Sequence, residues 1–176
     1  LDTGFLHDGR PQRQMAATMP RPRRGDAAAT TRHVDDPAAA VLALLSHRNI
    51  ASKASTIHRY DHEILGATAV RPLVGREGDA PADGIVLSAP TDTAGIAIGI
   101  GVNPWYGLHD PEAMARAVVD EAIRNVVAVG ADPDQVALLD NVSWGDPRRE
   151  STLGELVAAV EGCCAASMAY RAPFVS

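Results

Sequence analysis

Residues 110–130 read DPEAMARAVVDEAIRNVVAVG and lie at the centre of the predicted fold. Asp110 and Pro111 are typical of a helix start, because aspartate caps free backbone N–H groups and proline suits the first helical position. Apolar side chains then recur every four residues, at Met114, Val118, Ala122 and Val126. Since Gly130 is a natural helix end, the sequence predicts one long amphipathic helix here.

Two further helices and several strands are predicted around this helix. Asp36 and Pro37 repeat the same helix start ahead of an apolar stretch that ends at Leu45. A capping box at residues 152–155 precedes an alanine-rich apolar stripe that continues to about residue 169. Apolar runs indicate strands at residues 85–87, 96–100, 136–139 and 174–175, with a weaker candidate at 67–70. This order favours an α+β fold, a two-layer mixed sheet with helices on one face.

The composition also indicates how the two layers pack. Only 4% of the residues are aromatic, so the core must consist of Val, Ile, Leu and Ala, which permits a close approach of helix and sheet. Residues 95–101 place three glycines in or beside a strand, where glycine usually marks a bulge or a close backbone approach. They do not form a dinucleotide-binding fingerprint, because no third glycine opens a helix after Gly99 and Gly101.

The distribution of charge separates the chain into two parts. The 176 residues carry 16 Lys and Arg against 22 Asp and Glu, a formal charge of −6 that argues against a nucleic-acid binder. Residues 1–34 hold six arginines against three aspartates, with three prolines and no helical or strand periodicity. We therefore expect a basic linker over residues 1–34 and one folded module over residues 35–176. A phosphate-binding arm is the alternative interpretation of Arg21, Arg23 and Arg24.

Three further features bear on the class of protein. The chain has no uninterrupted run of about 18 apolar residues and no signal-peptide pattern, so we expect a cytoplasmic protein that does not bind membranes. Cys163 and Cys164 are adjacent in an apolar run and are expected to be core residues rather than a disulfide or zinc framework. The chain begins at Leu1 and ends on an apolar run, so we expect it to be part of a longer polypeptide.

The strongest candidate for a functional site is the stretch of residues 136–147. An apolar strand ends there in Asp140 and Asn141, and a Ser, a Trp and a Gly-Asp-Pro turn follow. Ligands bind at the carboxyl ends of strands that are connected by helices, and the Asp140 carboxylate is an oxygen ligand suited to Mg²⁺. A strand-end aspartate is also a common turn former, so both interpretations stand at this point.

A second group of polar residues surrounds Lys53, the only lysine in the sequence. His58 and His62 are four residues apart, so that on a helix they would face a shared metal with Glu63 nearby. The sequence lacks the glutamate that follows the first histidine of a zinc helix, and phosphate or surface polar contacts are therefore favoured over zinc. His109 is a further candidate general base, although its position beside a helix start explains it equally well.

Six segments together resemble the synthetase component of the phosphoribosylformylglycinamidine synthase family, in residues and in spacing. They are residues 44–53, 59–63, 103–106, 110–112, 122–131 and 140–147. The resemblance implies that the chain is the second of two amino-terminal modules of a longer enzyme, with its preceding linker. It also implies the amino-terminal fold of aminoimidazole ribonucleotide (AIR) synthetase, whose sheet pairs with the sheet of the first module to form a barrel.

The resemblance further implies a reaction and its participants. The family converts formylglycinamide ribonucleotide and glutamine to the amidine in purine biosynthesis, consuming ATP with Mg²⁺, and a glutaminase subunit or domain supplies ammonia. Asp140 falls on the family's ATP-site aspartate, and Lys53 is a candidate phosphate contact. The family's catalytic histidine belongs to the first module, so we expect no catalytic residue in this chain and no activity from the chain alone. Gly101 and Val102 replace the family's usual Asp-Cys, which puts a phosphate or metal role of that turn in doubt.

Two alternatives stand beside this interpretation. In the first, the module is non-catalytic and completes the barrel or stores a nucleotide, and exposed sheet edges then predict that the isolated chain pairs with itself. A related synthetase that uses the same fold for another substrate is disfavoured by the linker and by residues 60–62.

Overall fold

The computed structural model describes residues 2–9, 13–21, 33–59, 62–63, 66–88 and 94–176. The helices in these ranges are α1 (Thr3–Asp8), α2 (Pro37–Ser46), α3 (Ala54–Ile57), α4 (Pro104–Gly107), α5 (Pro111–Ala128) and α6 (Glu150–Tyr170), with a 3-10 helix at Pro133–Gln135. The strands are β1 (Thr68–Val70), β2 (Leu73–Val74), β3 (Ala80–Pro81), β4 (Gly84–Ser88) and β5 (Gly95–Gly99). Arg23, Arg24, Tyr60 and Asp61, which the sequence analysis singled out, lie outside the described residues.

The main sheet has three antiparallel strands in the order β1-β4-β5. In its register Gly84 lies opposite Gly99, and Ile85 lies opposite Ile98. Strands β2 and β3 form a separate antiparallel pair that the sequence pattern did not predict. Among the described strands β5 lies at an edge of the sheet, where it packs on α5.

Helix α5 begins as the sequence predicts. The Asp110 side chain accepts a hydrogen bond from the backbone N–H of Ala113 at 2.9 Å, and Pro111 occupies the first turn. At the other end, Gly130 has a φ of +101°, a left-handed conformation that glycine adopts without strain. The predicted helix is therefore confirmed, with its start and end set by the expected residues.

Glycines allow α5 to lie directly against the sheet. A Cβ atom on Gly84 would lie 2.6 Å from the Asn125 carbonyl oxygen, and one on Gly99 would lie 2.9 Å from the Ala122 carbonyl oxygen. These separations leave no room for a side chain, so the close approach expected from the strand glycines is confirmed. The opposite face of the sheet carries no helix among the described residues.

Helices α5 and α6 form the second layer and supply most of the core. A Cβ atom on Gly162 of α6 would lie 3.0 Å from the Ala115 Cβ of α5 and closer still to the Glu112 carbonyl oxygen. The two helices therefore cross at small residues. The buried cluster contains only aliphatic side chains, from Val119, Ile123, Leu138, Ala166 and Ala172. This composition agrees with the core expected from a chain that is poor in aromatic residues. The α+β fold class is confirmed.

Two predicted boundaries are wrong. Helix α6 begins at Glu150, its N-cap residue Arg149 makes no side-chain cap, and Thr152 of the predicted capping box lies inside the helix. The strands predicted at residues 136–139 and 174–175 are reduced to one parallel bridge between Leu138 and Phe174.

Helix α6 is long and apolar. Within the described residues it is the one helix whose length and composition would allow it to cross a membrane. An 18-residue stretch of this helix has a mean hydropathy of 1.3, and 28% of that stretch is buried. The face of α6 that carries Ala158, Gly162 and Ala166 packs on the rest of the domain, whereas Val160 and Met168 are 46% and 80% exposed. Helix α6 therefore packs on the domain through one face.

Candidate functional site

Asp140 lies where the two parallel segments of the bridge end side by side. The Leu138 N–H donates to the Pro173 carbonyl at 2.8 Å, and the Val175 N–H donates to the Leu138 carbonyl at 2.9 Å. Two residues further on, the Asp140 N–H reaches the Ser176 carbonyl at 3.5 Å. Asp140 is exposed, so its carboxylate is presented to solvent at the carboxyl end of this pairing.

The loop that follows Asp140 is held at two points. The Trp144 indole N–H donates to the Thr152 carbonyl in the first turns of α6 at 3.2 Å. The Arg148 guanidinium forks onto Asp146, with bonds of 2.9 and 3.1 Å from its Nε and 2.9 Å from Nη2. These hydrogen bonds lower the pKa of Asp146, which is therefore a structural carboxylate. No hydrogen bond described in the structure engages the Asp140 carboxylate.

Cys163 is the half-buried neighbour of Asp140 on α6. Burial raises the pKa of its thiol, and the negative charges of Asp140 and Cys164 raise it further. A thiol with a raised pKa carries little thiolate at neutral pH and is a poor nucleophile. Cys163 therefore acts as a small packing residue, as the sequence indicates, whereas Cys164, which was also expected in the core, is exposed.

Lys53 is occupied by its own loop. Its ammonium donates to the Arg48 carbonyl, and to the Ala51 carbonyl at 3.0 Å, so it closes the turn that precedes α3. Every described hydrogen bond of residues 33–59 stays within that segment. The structure thus does not bring Lys53 and Asp140 into contact.

The two histidines near Lys53 lie after a helix rather than on one. Helix α3 ends at Ile57 and His58 is its C-cap, yet the rings of His58 and His62 approach to 4.7 Å between centroids. Glu63 accepts from the Arg71 guanidinium at 2.7 Å, which lowers the pKa of that carboxyl. Among the described residues no group of three or more metal-binding side chains occurs.

The turn at Gly101 is pinned to α5. The Val102 N–H donates to the Glu121 carboxylate at 3.0 Å, and the Asn125 amide donates to the Ile100 carbonyl at 2.8 Å. A Cβ atom on Gly101 would lie 2.9 Å from the Ala122 nitrogen and closer still to the Val118 carbonyl oxygen. An aspartate, which the resemblance to the family implies at this position, therefore has no space in this chain. Sequence reasoning missed the roles of Glu121 and Asn125, because neither residue has a pattern that predicts its partner.

The His109 side chain makes no hydrogen bond or ion pair among the described residues. Its backbone N–H donates to the Tyr106 carbonyl at 3.0 Å, and its side chain is exposed beside the start of α5. The position agrees with the interpretation of His109 as a neighbour of a helix cap.

The fold and the strand-end aspartate define a class of protein: a two-layer α+β domain that presents a carboxylate at the carboxyl end of a strand pairing. The family described as AIR synthase related protein, N-terminal domain, matches residues 81–176, and the chain belongs to this family. The match covers β4, β5 and α4 to α6, and with them the contact between the sheet and α5 and the segment around Asp140.

Curated relatives carry one common name. The chain is 33% identical over 144 residues to the phosphoribosylformylglycinamidine synthase subunit PurL of Picrophilus torridus, a match that covers 81% of this chain and 19% of the relative. It is 38% identical over 138 residues to the protein of the same name from Deinococcus radiodurans, covering 78% of this chain and 17% of that relative. The chain thus spans about a fifth of the length of these relatives. These matches confirm the resemblance seen in the sequence.

Proposed function

We propose that the chain is one module of an ATP-dependent ligase, phosphoribosylformylglycinamidine synthase. The reaction joins the nitrogen of glutamine to formylglycinamide ribonucleotide and yields formylglycinamidine ribonucleotide, ADP, phosphate and glutamate in purine biosynthesis. The relatives that bear this name are similar to the chain over about four fifths of its length, which supports the proposal. The enzyme would act in the cytoplasm with a glutaminase subunit or domain that supplies ammonia.

One observation carries the proposal to particular residues: the free, exposed carboxylate of Asp140 at the end of the Leu138 pairing. Mg²⁺ commonly binds through one or two carboxylates, several waters and the phosphates of a nucleotide. A single carboxylate that follows the Leu138 bridge and has no hydrogen-bond partner among the described residues fits that donor set. ATP with Mg²⁺ would supply the activated phosphoryl group, and Asp140 would hold the metal that orients it.

The surrounding residues would keep this carboxylate in place. Leu138 anchors the strand in the core, and Trp144 ties the following loop to the first turns of α6. A fixed position matters because phosphoryl transfer depends on positioning and electrostatic stabilisation rather than on a protein nucleophile. Lys53 as a phosphate contact stays a weaker part of the proposal, since its ammonium is already bound by two carbonyls.

The substitution Asp140→Asn tests this role in the intact enzyme. We expect the KM for ATP to rise about tenfold or more, because the amide keeps the size of the side chain but removes a charged Mg²⁺ ligand. Asp134→Asn is the matched control, an exposed aspartate of the same chain that should leave the kinetics unchanged. An unchanged KM and kcat for Asp140→Asn would show that the carboxylate does not serve the nucleotide.

A second function is supported by the uncovered face of the sheet. Ile96, Ile98 and Ile100 are 66%, 44% and 67% exposed, and Ile85 lies on the same face opposite Ile98. An apolar face of this kind marks an interaction surface, and β5 is also an edge strand. We propose that this face packs on the sheet of the first AIR-synthetase-like module, and that isolated chains pair through it instead.

Sedimentation of the isolated chain tests the pairing. We expect a dimer at a concentration of tens of micromolar, and we expect Ile98→Asp to shift it to a monomer, since the buried charge would have no partner. Ile50→Asp, a change at an isoleucine that is 55% exposed outside the sheet, serves as the control and should leave the dimer intact. A monomeric parent chain would overturn self-pairing through this face.

A further inference from the structure

The basic segment that precedes the module contacts helix α6 of the module. Residues 13–21 form neither helix nor strand, and within them Thr18 and the Met19 backbone nitrogen lie against the first turns of α6. The Thr18 backbone N–H donates to the Glu150 carbonyl at 2.9 Å, and the Thr18 hydroxyl donates to the Glu150 carboxylate at 3.4 Å. This contact joins positions that are 132 residues apart in the sequence.

Gly154 forms a notch that receives this segment. It is buried in the second turn of α6, and a Cβ atom there would lie 3.0 Å from the Met19 nitrogen and well inside that distance from the Thr18 carbonyl. Glycine is a poor residue for a helix interior, so its presence here is explained by the backbone that passes over it. The neighbouring Pro20 is half-buried.

The loop that carries the candidate nucleotide site lies on the same two turns of α6. Trp144 donates its indole N–H to the Thr152 carbonyl, two residues before Gly154. A Cβ atom on Gly145 would lie 3.0 Å from the Thr152 methyl group, so the loop backbone also passes close to the helix. A displacement of these turns would therefore also shift the loop of residues 140–149, which contacts them through Trp144 and Gly145.

We propose that residues 13–21 are a strap that seats in the Gly154 notch and holds the first turns of α6, so that the loop of residues 140–149 keeps its position. Thr18 and Gly154 are then positioning residues that act through Trp144. The effect on nucleotide binding rests on the function proposed above for Asp140. The effect on the loop itself does not, and it is measured without a nucleotide.

The first test releases the strap with Thr18→Pro, which removes both the N–H and the hydroxyl that contact Glu150. We expect amides of residues 140–149 to exchange with deuterium about tenfold faster, while amides of α5 keep their rates. In a Trp105→Phe background, the fluorescence of Trp144 should shift to the red. Thr18→Ser keeps both donors and should behave as the parent chain. Ala16→Pro, in the same segment, is the control for a proline without a lost bond.

The second test uses the sign of a stability change. In the Thr18→Pro background the notch is empty, so Gly154→Ala should raise the Tm by about 2–4 °C through its better helix propensity. In the parent chain the same change meets the strap, and no such rise is expected. An equal rise in both backgrounds, or loop exchange that Thr18→Pro leaves unchanged, would overturn the strap.

Kinetics of the intact enzyme separate the strap from the proposed function. With Thr18→Pro we expect the KM for ATP to rise about threefold at constant kcat, whereas Thr18→Ser should keep the KM of the parent enzyme. Faster loop exchange with an unaltered KM, together with a silent Asp140→Asn variant, would retain the strap and reject the nucleotide role of Asp140. An altered KM with unaltered loop exchange would reject the strap alone.

Discussion

The substitution Gly101→Ala should lower the free energy of unfolding by about 3 kcal/mol, at the upper end of what overpacking usually costs. The added Cβ would lie 2.9 Å from both the Ala122 nitrogen and the Val118 carbonyl carbon, and these are backbone atoms of α5 that cannot rotate away. Relief would require β5 and α5 to separate, which would stretch the bonds from Val102 to Glu121 and from Asn125 to Ile100. Thermal unfolding followed by circular dichroism would show this as a fall in Tm of about 6–12 °C.

Gly107→Ala is the control for a glycine with room for a methyl group. The nearest atom to its added Cβ is the flexible end of Met114 at 3.4 Å, and we expect a change within about 0.5 kcal/mol. If Gly101→Ala were as mild as Gly107→Ala, the close packing of the turn on α5 would be wrong. Gly101→Asp, which restores the residue usual in the family, should be at least as destabilising as Gly101→Ala.

The parts of the fold that local chemistry determines could be predicted from the sequence. Asp110 caps α5 as predicted. The strands predicted at residues 85–87 and 96–100 lie within or next to β4 and β5. Both predictions depend on patterns that act over only a few residues, a helix cap and an apolar alternation. The strand glycines also predicted a close approach, although not the helix that makes it. The predicted start of α6 is wrong because Thr152 and Glu155 match a capping box that the helix does not use.

The candidate site was predictable only in part. The apolar run of residues 136–139 predicted that Asp140 follows a strand, whereas the structure reduces that strand to the bridge between Leu138 and Phe174, two residues before the exposed Asp140. The contacts of Glu121, Asn125 and Gly154 depend on segments that are distant in sequence, and no local pattern encodes them. Lys53 shows the reverse case, because a residue that looked available for a ligand is bound by its own turn.

The expected loss of stability is similar for Leu138→Ala, about 3 kcal/mol within the range for buried leucines. Leu138 is 7% exposed and belongs to the buried cluster with Val119, Ile123 and Ala172, so the truncation leaves a cavity between the strand and both long helices. The same residue exchanges two backbone hydrogen bonds with the segment of residues 173–175. Its loss should therefore loosen the pairing that presents Asp140 as well as the core.

Leu139 provides a matched control one residue away. It is 74% exposed, so Leu139→Ala removes the same atoms without opening a cavity and should change the free energy of unfolding by less than about 0.5 kcal/mol. Urea unfolding of the two variants beside the parent chain measures both values, and a change in midpoint at constant slope identifies the effect as one on stability. Equal losses at the two positions would contradict the orientation of this strand, in which Leu138 enters the core and the following residues lead outward to Asp140.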